Sequence, residues 1–141
     1  MKSLVVEVKN LGSLTQGEGF YMMDKEKVLD VLRELRASIK TESALIRRDG
    51  HLVLSDFSYG FHANEVFGAM SSVILGAAKN IALECRKGPP KRVIILTGDA
   101  HIIITNAGSR ALLMCVTDEM KDIERTIYEI DKAADRLKTL T

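Results

Sequence analysis

Cysteine is scarce in this chain: Cys85 and Cys115 are the only two, thirty positions apart and each inside an apolar stretch. That excludes a disulfide framework and points to a reducing interior in which both thiols are buried as small hydrophobes. Net charge is nearly absent as well, with 20 Lys and Arg against 19 Asp and Glu, so no overall field draws the protein to nucleic acid or an anionic membrane. Aromatics make up 5% of the residues, and Tyr59 and Phe61 lie far from the one dense basic stretch, which argues against a nucleic-acid surface. No uninterrupted apolar run reaches the roughly 18 to 20 residues of a membrane span, and the segment MKSLVVEVKNLG lacks a signal-peptide cleavage pattern. The expectation is a cytoplasmic protein without a membrane span.

Catalytic patterns are missing too. No glycine-rich turn ends in Gly-Lys-Ser/Thr, so nothing cradles a nucleotide phosphate. Ser71 and Ser72 sit in a helical stretch, where the strained turn of a hydrolase nucleophile cannot form. His51, His62 and His101 fall in no metal-ligand spacing, and neither do the cysteines, so no metal and no cofactor is expected. Asp49 stands beside Gly50, where turn chemistry explains it better than catalysis. No catalytic residues are assigned, and the chain is not expected to be an enzyme.

What is present is local structure of high definition. The 141 residues are 46% hydrophobic, enough for one core burying about two thirds of the unfolded surface. Val28, Leu32, Leu35 and Ile39 recur at helical spacing behind Asp24, an available N-cap. The segment SALIRRDGHLVLS alternates apolar runs around Asp49-Gly50, a hairpin signature. Three strand-like runs follow later, near residues 93 to 97, 101 to 105 and 111 to 116, separated by Gly98-Asp99 and Asn106-Ala107-Gly108. Met120, Ile123, Ile127, Ile130, Ala134 and Leu137 form the stripe of a final helix, with Thr117 or Asp118 as its expected cap. The order reads α-β-β-α-β-β-β-α, an α+β fold with a central antiparallel sheet and helices on both faces.

Residues 62 to 86 depart from a surface helix. Phe67, Met70, Ile74, Ala78, Ile81 and Cys85 form one face, and Val66, Ala69, Val73, Ala77 and Leu83 widen it well beyond about 100°. A sheet covers one side only, so the excess predicts that a second copy of the chain covers the other. Gly68 and Gly76, each costing about 1 kcal/mol in a helix interior, then find a reason in close helix-helix approach. The loop RKGPPKR places Arg86, Lys87, Lys91 and Arg92 together, a patch suited to an anionic partner surface, although solvated loops have the same composition.

The hairpin ALIRRDGHLVLS, the helix GAMSSVILGAAKNIALE and the meander RVIILTGDAHIIITNAGSRALLMCVT together resemble the roadblock (dynein light chain roadblock type) family, related to profilin-like and longin folds. The likeness spans about residues 24 to 138. It implies a five-stranded antiparallel sheet and a homodimer in which the second helix and the following strand meet their symmetry mates. On this sequence the dimer helix falls on Val66, Ala69, Met70, Val73, Ala77 and Asn80, and the paired strand on Val93, Ile95 and Thr97. The resemblance also implies a non-catalytic regulator or scaffold of a small Ras-like GTPase, contributing position rather than a catalytic side chain.

Residues 1 to 20 are not needed by that core. Leu4, Val6 and Val8 alternate as in an edge strand, and three glycines follow between residues 10 and 20. The expected organisation is an N-terminal arm at 1–20, a possible extra edge strand, and one roadblock-like domain at 21–141. A competing expectation is a small-molecule sensor, since a profilin-like sheet can hold a ligand beneath a helix, with His101 or Tyr59 lining it.

Overall fold

A computed structural model describes residues 23–57, 65–118 and 121–141. The arm and Tyr59 lie outside the described residues. The elements run α1 (Lys25–Ile39), β1 (Thr41–Arg47), β2 (Leu52–Asp56), α2 (Glu65–Glu84), β3 (Arg92–Leu96), β4 (His101–Asn106), β5 (Ala111–Thr117) and α3 (Ile123–Leu140). The five strands form one antiparallel sheet in the order β2-β1-β5-β4-β3. This is the α+β architecture that the sequence pattern implies.

Strand alternation divides the core into two layers. Leu45, Ile103, Leu113 and Cys115 face α1 and α3, whose Val28, Leu32, Leu35, Ile130 and Leu137 complete the larger layer. Ala44, Ile46, Ile104, Leu112 and Met114 face the other way, toward Leu75 of α2. β1 and β5 are buried along nearly their whole length because both faces and both edges are covered. β2 and β3 are the edge strands.

Local signals place the helices. Asp24 caps α1, its carboxylate accepting from the Lys27 amide at 3.2 Å. Lys40 ends it in a left-handed conformation (φ 53°), its amide donating to the Arg36 carbonyl at 2.8 Å. Arg36 then ties α1 to the end of β2, donating to the Asp56 carboxylate at 3.0 Å and carbonyl at 2.6 Å.

The cap of α3 differs from expectation. Asp122 caps it, accepting from the Arg125 amide at 3.0 Å. Thr117 instead closes β5, paired with Thr41 and His101, and its hydroxyl donates to the Ile39 carbonyl at 3.4 Å. Sheet pairing outcompetes capping there.

The cysteine expectation also divides. Cys115 is fully buried, and burial pushes its thiol pKa up against a weaker opposing hydrogen bond with Thr41. Cys85 is exposed, contrary to expectation; it lies one residue past α2, whose last turns carry the exposed Ile81 and Leu83.

Candidate functional site

The hairpin between β1 and β2 seats α2. Within RRDG only Gly50 takes a positive φ, +99°, so the turn is a glycine bulge rather than a two-residue turn with both centres left-handed. The Gly50 amide donates to the Arg47 carbonyl at 2.8 Å, and the Arg47 amide donates to the His51 carbonyl at 2.7 Å. The Asp49 carboxylate accepts from the Arg47 guanidinium, from the His51 amide at 3.1 Å, and lies 3.0 Å from the His51 ring. Desolvation raises the pKa of Asp49, but the Arg47 and His51 hydrogen bonds together outweigh it and hold the group down at about 2. Asp49 is thus a turn residue.

α2 rests on that turn through bare backbone. A Cβ on Gly68 would stand 2.3 Å from the Gly50 carbonyl oxygen, and a Cβ on Gly50 would stand 3.0 Å from Cα of Ala69. The Ser72 hydroxyl donates to the Arg48 carbonyl at 2.6 Å. Phe67 meets Phe57 edge to face, centroids 6.3 Å apart. Gly68 therefore serves helix-turn contact within one chain, not the helix-helix contact expected of it. Among the described residues, nothing beyond the helix's own backbone lies within 4 Å of a Cβ at Gly76.

Most of α2 is left uncovered. Only Gly68, Ser71 and Leu75 are buried, while Val66, Met70, Val73, Ile81 and Leu83 are 58% to 70% exposed. Of the residues assigned to a dimer face, Val66, Ala69, Met70, Val73, Ala77 and Asn80 are all exposed on this helix. Val93 and Ile95 lie on β3, half-buried on its α2 side. Ile94 and the 68%-exposed Leu96 point to the other face. Thr97 falls one residue beyond β3, in a turn where its hydroxyl contacts Asp99 at 3.0 Å and accepts from the Ala100 amide at 2.9 Å. The outer edge of β3 has no strand partner among the described residues. An apolar helix face thus lies beside a strand edge that has no partner among the described residues, features that mark interaction surfaces.

By length and composition α2 also meets the requirements of a membrane span. Its apolar residues do not form one uninterrupted run, because Ser71, Ser72, Lys79 and Asn80 fall among them. Its packing against Gly50, Arg48 and the sheet makes it part of the folded layer.

The basic patch is divided. Arg86, Lys87 and Lys91 are exposed. Arg92 is drawn inward, its guanidinium bonding both carboxylate oxygens of Asp131 at 3.0 and 2.8 Å, which joins β3 to α3. His101 is buried on the α1 and α3 side, away from the cleft beneath α2. Among the described residues no group of three or more His, Cys, Asp or Glu could hold a metal ion.

Pattern reading missed a cleft of about 410 Å³ between α2, the hairpin turn and the Pro89-Pro90 segment, with Arg48 and Lys79 at its rim. Its walls come from five separate elements, the hairpin turn, α2, the Pro89-Pro90 segment, β4 and β5, so no local motif marks it.

A five-stranded antiparallel sheet with two helices behind it and one largely uncovered helix in front defines a roadblock- and profilin-like α+β domain. The Roadblock/LC7 domain pattern matches residues 27–117, and the chain belongs to that family. Among solved structures it is similar to MglB in a tetrameric arrangement, with a TM-score of 0.73 at 18% identity over 82% of this chain and 88% of that one. The gliding protein MglB from Thermus thermophilus gives 0.72 at 17% identity, with the same coverage. Profilin IA of Acanthamoeba castellanii gives 0.57 at 18% identity, over 79% of this chain and 94% of that one. No curated protein sequence matches.

Proposed function

We propose that this protein is a non-catalytic, homodimeric regulator or scaffold of a small Ras-like GTPase, with α2 and β3 as its two-fold interface. The observation that carries the reading is the exposed apolar face of α2 beside the unpaired edge of β3. A second copy satisfies both at once, helix against helix and strand edge against strand edge. Family membership supports it, as does the likeness to an MglB in a tetrameric arrangement. The GTPase is the partner class implied by the family resemblance, and the dimer supplies a rigid platform rather than a reacting group.

The test is capture of GTPases on immobilised protein from extract of the native cell, loaded with GDP or with a non-hydrolysable GTP analogue. Mass spectrometry should identify a retained small Ras-like GTPase with a preference for one nucleotide state, and Val73→Glu should retain less. Absence of any such GTPase in both states would contradict the regulatory reading.

A further inference from the structure

The cleft beneath α2 differs in character from the interface face. Its floor is apolar, formed by Leu75 and Leu112 with Pro89 and Pro90 beside them. Its charged lining is cationic only: Arg48 and Lys79 contribute, and no carboxylate does. The Arg48 guanidinium is held in place by neutral oxygens, the Ser109 carbonyl at 3.0 Å, the Gly108 carbonyl at 3.1 Å and the Asn106 amide oxygen at 2.5 Å. Those contacts fix its direction and leave its charge uncompensated. Among the described residues neither Arg48 nor Lys79 forms an ion pair, and the exposed Lys91 follows directly after the Pro89-Pro90 wall.

Gly76 lines the same cleft. A glycine costs about 1 kcal/mol in a helix interior relative to alanine, and among the described residues no contact calls for it. Bare helix backbone at a cleft wall lets another backbone approach closely. The volume falls within the range of ligand sites.

We propose that this cleft binds an acidic peptide segment of a partner protein, its carboxylates meeting Arg48 and Lys79 and an apolar side chain resting on Leu75 and Leu112. Charge complementarity selects the occupant, since one preset guanidinium and a second, exposed cation, both without an ion-pair partner among the described residues, over an apolar floor favour an acidic segment with an apolar anchor. The site does not depend on the GTPase reading, because it recognises the segment whichever protein carries it.

The test uses the full chain and a fluorescein-labelled eight-residue peptide of Asp, Glu and Leu, with a peptide carrying Lys at the acidic positions as control. Fluorescence anisotropy should show saturable binding of the acidic peptide only. Lys79→Glu should weaken it about fivefold or more. Lys27→Glu, which makes the same change of net charge at an exposed position of α1, should leave it within about twofold. Amide shifts induced by the peptide should cluster at Ser72, Gly76 and Asn106. Equal losses in the two variants, no binding, or shifts elsewhere would overturn the proposal. Lys79-dependent binding of phosphatidylserine vesicles without peptide binding would overturn it too, in favour of a membrane surface.

Discussion

The carboxylate of Asp49 holds several groups of its own hairpin at once: the Arg47 guanidinium, the His51 amide and the His51 ring. Its pKa of about 2, against an ordinary 3.8, means that the folded state binds the proton less readily than the unfolded chain does. The stabilisation is therefore fully present above about pH 4, fades as the pH falls, and is gone below about pH 2. Asp49→Asn should lower the urea midpoint at pH 7, with the gap to the parent closing as pH falls from 4 to 2. A gap that stays constant across that range would refute the role given to the charge. Beside Gly50 this residue was legible as turn chemistry, because Asp-Gly between alternating apolar runs leaves few other readings. Cys85 was not legible, since an apolar stripe does not reveal which of its residues the sheet covers.

Between elements, the contact that orients α2 is backbone against backbone, Gly68 on the Gly50 carbonyl. Alanine at position 68 gains up to about 1 kcal/mol of helix propensity but must displace a main-chain oxygen, an overpacking cost of about 1 to 3 kcal/mol. Gly68→Ala should lower stability in chemical denaturation, whereas Gly76→Ala, entering open space, should at least match the parent. Equal effects at the two positions would contradict this packing. Both glycines stood out in the sequence, yet periodicity could not tell which met a turn and which faced a cleft. Element order, the antiparallel sheet and the stripe of α1 were legible because each rests on local period and turn chemistry. The cap of α3 was not, because Thr117 belongs to strand pairs with residues 41 and 101, distant in sequence. The cleft was hidden for the same reason.

At the scale of the whole molecule, the sheet is covered unequally. α1 and α3 close one face, whereas α2 covers the other with most of its apolar residues turned outward, beside the open edge of β3. In the proposed dimer a second copy covers this face, and partner binding would be built on that pairing. The excess apolar surface was visible in the sequence as a stripe too wide for one sheet to bury; its juxtaposition with an unpaired strand edge needed the topology. The most direct measurement is the solution mass at micromolar concentration by multi-angle light scattering, for the parent, Val73→Glu and Lys87→Glu. The account predicts twice the 15.6 kDa of one chain for the parent and for Lys87→Glu, and monomer or insoluble protein for Val73→Glu, which would bury a charge at the two-fold. A monomeric parent, or a folded dimeric Val73→Glu, would contradict it.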